Sequence, residues 1–468
     1  MTNRSSLVSR IWQRRGKPCP LGGSRKPPLR WLSTFGRRGC RRPNPLSAES
    51  RRLRAHTLAL LLLSTACAAF PPAGLGTEQA SDYAIELQQI QSAISGLEQS
   101  ASNVPFEAEN AGRWAYLQFR RAALTGSFDD FTRAESALDW TIRQIGPVED
   151  LYLLKANLDF KLHRLAAAKD DLARLTDLTG SAEVETLQAD IALQEGRYVD
   201  AGKGYESVIR QARTWDRLAR LAHLKSLSGD MAGAEALYLE AQDEITAKEM
   251  RSYAWVELQR GILDFKHGRH DEAMVHYRRA DKAYSGYWLV GEYIAELLGA
   301  RGKFDEAVAH YEKVLAQAPR PEIHQALGDL YAFMGKPEQA KPWHEKALAA
   351  YLDAARRGGV QYFHHLAGFY ADVREDGAEA VKWAHRDLEL RRNFATRDAL
   401  AWALYRDGRF GEAIEEMNRA LSYGIQDAHL FFHGAMVHLA AGRTEEGKQF
   451  LQMAAEINPR FETFHVHR

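Results

Sequence analysis

The chain has 468 residues, 45% of them apolar and only 15 of them proline, which leaves room for several domains or for one long repetitive body. Its formal charge of +1 conceals two regions of opposite sign: fifteen of the 62 Lys and Arg fall before residue 55 beside one acid, Glu49, leaving 47 bases against 60 acids for the rest. A body of that sign, with no basic stripe of interleaved aromatics, excludes nucleic acid as a partner, and with Cys19, Cys40 and Cys67 as the only cysteines it has no thiol for disulfides, thiolate nucleophiles or zinc-thiolate sites.

Taken in chain order, residues 1–50 are basic, punctuated by Pro and Gly and without an apolar period, so they read as a disordered arm or as a start codon placed too far upstream. Residues 51–69 read as a signal peptide, with Arg51, Arg52 and Arg54 followed by the Leu- and Ala-rich run from Leu58 to Ala69. Roughly 12 apolar residues are too few to cross a bilayer, so cleavage is expected rather than anchoring. Two ends are legible. Ala66-Cys67-Ala68 suits a signal peptidase, whereas Ser64-Thr65-Ala66-Cys67 resembles a lipoprotein box with Cys67 as the lipidation candidate, although Ser64 stands where that box prefers leucine.

Residues 70–105 are a linker and a capping helix. Leu87, Ile90, Ile94 and Leu97 repeat at 3-4-3 spacing from near Ser81, one apolar stripe laid on the first unit of a repetitive array. From residue 106 to 468 one phrase recurs: a helical stretch ending in Gly, a polar residue, an apolar residue, then a small residue five places after the Gly. It appears at Gly196/Ala201, Gly229/Ala234, Gly268/Ala273, Gly302/Ala307, Gly335/Ala340, Gly408/Ala413 and Gly442/Gly447, with steps of 33, 39, 34, 33, 73 and 34 residues. Tyr205, Tyr238, Tyr277 and Tyr311 stand nine places after their glycines, and Ala241, Ala280, Ala347, Ala420 and Ala454 twelve places after theirs. Glycine permits the positive φ needed between two antiparallel helices, the small residue lets the backbones approach, and Tyr and Leu fill the groove between pairs. Weaker units begin near Trp114, with a turn at Thr125-Gly126-Ser127-Phe128, near Leu151, with His163 in place of the turn glycine, and near His364, with an altered turn at Arg374 to Gly377.

A period near 34 residues with this pattern resembles the tetratricopeptide repeat family, exported bacterial type, over about three quarters of the chain. The resemblance implies an all-α, right-handed superhelical solenoid of about ten antiparallel helix pairs. It also implies that the first helix of each pair lines a concave groove that holds a protein partner. Groove positions carried over from the family are Trp255, Phe265, Glu292, Glu296, Gln325, Asp329, Asp398, Trp402, Tyr405, His429, Phe432 and Met436. That lining is acidic and aromatic and lacks the Lys, Arg and Asn set with which family members grip a carboxyl terminus. A basic or aromatic protein or peptide segment is therefore the partner expected.

His429 and His433, four apart on one expected helix, have the spacing of two metal ligands and are the weak candidates for a metal site. A site needs a third ligand, and none of His438, His465 and His467 shares the pair's helical face. There is no GxSxG elbow, phosphate-binding loop or GxGxxG after a strand, so no catalytic residue and no cofactor is assigned.

These features together describe a non-catalytic protein-binding scaffold of the cell envelope, exported to the periplasm or anchored facing it, touching a membrane only through a lipid on Cys67. Two alternatives stand beside it: a metal-handling envelope protein using the C-terminal histidines, and an assembly factor that homo-oligomerises through the solenoid ends. No polar capping helix follows Pro459, so the last pair is expected to expose apolar surface unless a partner or second copy covers it.

Overall fold

A computed structural model describes residues 80–101, 107–175 and 180–465. The segments expected to form a basic arm and a signal peptide, and the lipidation candidate Cys67, lie outside the described residues, as does His467. The described residues form 21 helices and no strand. The first, α1 (Asp82–Ala101), precedes ten consecutive pairs. These are α2 (Ala108–Thr125) with α3 (Phe128–Ile145), α4 (Glu149–Lys161) with α5 (Leu165–Leu172), and α6 (Ala182–Gln194) with α7 (Tyr198–Gln211). The middle pairs are α8 (Trp215–Leu227) with α9 (Met231–Asp243), α10 (Met250–Lys266) with α11 (His270–Ala283), α12 (Trp288–Ala300) with α13 (Phe304–Gln317), and α14 (Pro321–Phe333) with α15 (Pro337–Arg356). The last three are α16 (Phe363–Asp372) with α17 (Gly377–Leu390), α18 (Phe394–Arg406) with α19 (Phe410–Leu421), and α20 (Ala428–Ala440) with α21 (Thr444–Ile457). Among the described residues no helix is long and apolar enough to cross a membrane.

The repeat phrase does in space what its chemistry requires. The seven turn glycines have φ between 72° and 83°, and His163, which replaces glycine in the second pair, is held at φ 62°. Ala201, Ala234, Ala273, Ala307 and Ala413 are fully buried where paired helices approach, and Tyr205, Tyr277 and Tyr311 are buried behind them.

The superhelix is wound tightly enough for its turns to touch. The Trp288 indole donates to the Leu124 carbonyl (3.1 Å), and Arg320, stacked 4.4 Å over that indole, donates to the Thr125 carbonyl (3.2 Å). Asn393 donates to the Gln194 carbonyl (3.0 Å), the Phe394 amide donates to the Tyr198 hydroxyl (3.2 Å), and the Gln426 amide donates to the Leu227 carbonyl (2.9 Å). Three of these bonds join residues 195, 199 and 196 apart, which at one pair per 34 residues is about six pairs. The sixth and later pairs thus close over the first ones.

The N-terminal helix does more than cap the first pair. Ile90 and Ile94 are buried in the central core, as the 3-4-3 stripe requires, but Asp82 and Tyr83 also bond to Ser285, in the loop between the fifth and sixth pairs. Glu86 accepts from the Tyr284 hydroxyl (2.7 Å) and pairs with Arg251 (2.8 Å) and Arg120 (3.0 Å). One carboxylate thereby ties α1 to the first and fifth pairs.

Candidate functional site: a docked tail and a histidine-lined chamber

Helix α21 ends at Ile457, where Pro459 prevents its continuation, and residues 458–465 turn back into the array. Asn458 caps that turn by accepting from the Arg460 amide (2.9 Å), and it sits against the turn glycine Gly268. Phe461 packs 5.8 Å from Phe432 on α20. Phe464, only 3% exposed, lies edge-on to Phe333 (5.5 Å) and fills the space left by Gly299, where a Cβ would stand 2.5 Å from its ring. His465 packs 4.8 Å from Phe265 and is hydrogen-bonded to Glu296, a fully buried carboxylate. The apolar end expected after the last pair is thus covered in part by the chain's own tail.

Beside the tail the inner wall encloses a chamber of about 160 Å³. His163, His267, His365, His429 and His465 face it together with Asp398, Asp427 and Asn393. Burial, then the nearby Arg391 guanidinium, pushes His163 well below its ordinary pKa, and burial likewise lowers His267, so both are neutral imidazoles near pH 7. Behind the wall Asp387 joins His364 (2.9 Å) and Arg391 (2.7 Å). Burial alone would raise that carboxyl, but Arg391 and His364 outweigh it and hold it well below the usual carboxylate range.

Two of the residues assigned to a partner groove from the sequence, Phe265 and Glu296, meet the tail, and a third, Phe432, meets its Phe461. The others sit elsewhere in the wall. Trp255 is buried against Trp215 (6.1 Å), and Glu292 is buried on α12. Gln325 accepts from the Tyr351 hydroxyl (3.1 Å), and Asp329 bonds His344 (2.9 Å). Trp402 is 5% exposed; its indole donates to Asp372 (2.8 Å), and its face lies 3.9 Å from the His433 ring, with Tyr405 4.8 Å away. Met436 is buried in the core of the last pairs. Most of the positions expected to line the groove are therefore buried in interior packing.

His429 and His433 share a face of α20, as their spacing requires, with ring centroids 3.8 Å apart. The third donor that the α20 sequence lacks comes from a different helix. Asp398 on α18 accepts from His433 Nδ1 at 3.0 and 3.1 Å, and one donor atom from each of the three residues lies within 4.8 Å of the others. Sequence reasoning also misses Phe464, Gly299 and Phe333. The one local signal is an aromatic residue beyond Pro459, too short a phrase to register against a period of 34.

Residues 289–353 match the tetratricopeptide repeat family. The TPR repeat-containing protein YpiA of Bacillus subtilis (strain 168) is 26% identical over 172 residues, which cover 36% of this chain and 39% of that protein. Among solved structures, Cut9 with Hcn1, a hetero-tetramer of the APC/C, is 16% identical with a TM-score of 0.40, over 81% of this chain and 80% of that one. Yeast Tom70 is 13% identical with a TM-score of 0.38, covering 80% and 89%, and a tetratricopeptide repeat protein from Parabacteroides merdae ATCC 43184 is 18% identical with a TM-score of 0.32, covering 52% and 93%. With ten helix pairs among the described residues, seven of them in the register of the repeat phrase, and that family matched over residues 289–353, the described residues form an all-α solenoid of tetratricopeptide-type repeats.

Proposed function

We propose that the inner surface of α10, α12 and α14 receives a partner segment that presents an aromatic residue followed by a basic or imidazole side chain, and that the chain's own Phe464-His465 holds this place until displaced. The observation that carries the reading is the seating of Phe464 over Gly299 and of His465 on Glu296. An aromatic anchor in a shaped pocket beside a buried carboxylate is the composition of a peptide-binding hot spot. Residues 458–465 can be replaced by a competitor, since undocking them breaks no repeat pair. Nothing in the reading calls for catalysis.

The cellular setting belongs to the same proposal. Arg51, Arg52 and Arg54 followed by Leu58 to Ala69 support export, and Cys67 supports a lipid anchor facing the periplasm. Intact mass of the protein from native envelopes checks this: a start at Cys67 with acyl chains, or near Ala69 without them, supports export, and a retained leader refutes it.

The binding test uses a fluorescent peptide of residues 458–468 and a chain truncated after Ile457. Anisotropy should show saturable binding to the truncated chain, at least tenfold weaker binding to the full chain, and loss of binding when Gly299→Val fills the Phe464 seat. Equal binding to both chains, or binding indifferent to Gly299→Val, would overturn the reading. Tail exchange between two copies, seen as a dimer of the full chain by light scattering, would replace it with the homo-oligomer alternative.

A further inference from the structure

Where α18 passes α20, three side chains of metal-ligating type converge: Asp398 from one helix, His429 and His433 from the other. We propose that they form a binding site for a divalent first-row transition cation, with one coordination position open to the chamber. The proposal is independent of the tail and of its partner.

Three features carry it. The donor set is two imidazoles and one carboxylate, the combination that suits zinc and its first-row neighbours rather than calcium or magnesium, which prefer oxygen throughout. The spacing fits too: with bonds of about 2.0–2.1 Å, neighbouring donors on a tetrahedral centre stand about 3.3 Å apart. His433 Nδ1 and Asp398 are already at 3.0 Å, and no two of the three donor atoms exceed 4.8 Å, so rotamer adjustments of one side chain close the set without moving a helix. Finally, the surroundings hold the donors in place. Trp402 stacks at 3.9 Å and 11° on the His433 ring, and Asp427 caps the start of α20 by accepting from the His429 and Leu430 amides (both 3.0 Å), with Lys266 bonded to its other oxygen (3.0 Å).

Hydrogen bonding of a buried imidazole to a buried carboxylate explains the placing of His433 against Asp398, but it does not call for a second imidazole in the same niche. Asp398 and His429 both face the chamber, whose volume of about 160 Å³ exceeds several times the roughly 30 Å³ share of one water molecule. Three protein ligands and a solvent-filled fourth position describe an open site, suited to holding an exchangeable ligand, rather than the closed four-ligand site of a structural zinc.

The experiment uses untagged full chain, stripped with chelator and titrated with Zn²⁺ by calorimetry and with Co²⁺ by visible absorption. One equivalent should bind with a Kd at or below the micromolar range, and Co²⁺ should give the intense visible bands of four-coordinate geometry. His429→Gln, at a half-buried position, and Asp398→Asn should each weaken binding at least tenfold, whereas H465A with H467A should leave it unchanged. His429→Gln decides the matter if Asp398→Asn proves unstable. Absence of stoichiometric binding, binding unchanged by His429→Gln, or binding lost only in the C-terminal double variant would each overturn the proposal.

Discussion

At its N-terminal end the described array returns to its own middle through a twenty-residue helix, at its C-terminal end through residues 458–465, which have no regular structure. Helix α1 buries Ile90 and Ile94 and adds the Glu86 hub to Tyr284, Arg251 and Arg120. The tail buries one large ring, Phe464, lays a second, Phe461, on Phe432, and adds one imidazole, His465. A long amphipathic stripe sums many contacts into one cooperative unit, whereas a short tail with a few anchors undocks at the cost of those anchors alone. The comparison teaches that similar long-range contacts need not be equally permanent: the N-terminal contact is part of the fold, and the C-terminal one has the character of a bound ligand.

The largest effect that would sharpen this contrast is expected for Ile94→Asp. An unpaired charge in the central core should lower stability by about 4 kcal/mol or more and release α1 together with the pairs it ties, seen as a lower urea midpoint and a broadened transition. An unchanged midpoint would mean that α1 is as dispensable as the tail. Next comes Trp402→Ala, away from both ends, expected to cost about 3–5 kcal/mol because a buried, hydrogen-bonded indole is lost. A normal melt for that variant would make Trp402 an accessible binding residue after all.

Asp372 provides a calibration in the opposite direction. Burial raises its pKa to about 6, despite the hydrogen bond from Trp402. A carboxyl raised on folding contributes stability that is complete below its unfolded pKa and is lost as pH rises through the folded value, here between about pH 4 and 6. Asp372→Asn keeps an acceptor for Trp402 and cannot ionise, so it should stabilise on the order of 2–3 kcal/mol at pH 8 and nothing below pH 4. Parallel pH profiles of the two proteins would refute this.

Phe464→Ala should cost less than the roughly 3–5 kcal/mol of a core Phe, because release of the tail caps the loss. Its mark would be faster amide exchange confined to residues 460–465 and to the facing ends of α12 and α14; exchange spreading through the array would make the tail structural. The smallest change is His163→Gly. Relieving a left-handed φ should add about 0.5–1 kcal/mol, and a drop in the melting midpoint would show that the imidazole contributes more than its backbone costs.

How far the sequence reaches differs from element to element. Gly302, Ala307 and Tyr311 predict a turn, a close helix approach and a filled groove within one repeat, and the structure has all three, because each depends on residues fewer than ten positions apart. The 3-4-3 stripe of α1 is equally plain, but its bonds to Ser285 lie 203 residues away and leave no periodic trace. Trp402 has the right register for a groove and is nevertheless interior, since register specifies which helical face a residue takes and not what later covers that face.

By itself, then, the sequence determined the helix pairs, their turns and their packing partners within and between adjacent repeats, because those contacts are local and recur with the period. Only the tertiary structure decided how tightly the superhelix winds, and with it the burial of most expected groove positions, the seating of Phe464 on Gly299, and the meeting of Asp398 with His429 and His433. The pitch of a solenoid is the sum of small rotations at every pair-to-pair contact, and after about six pairs those rotations bring together residues that no local pattern relates.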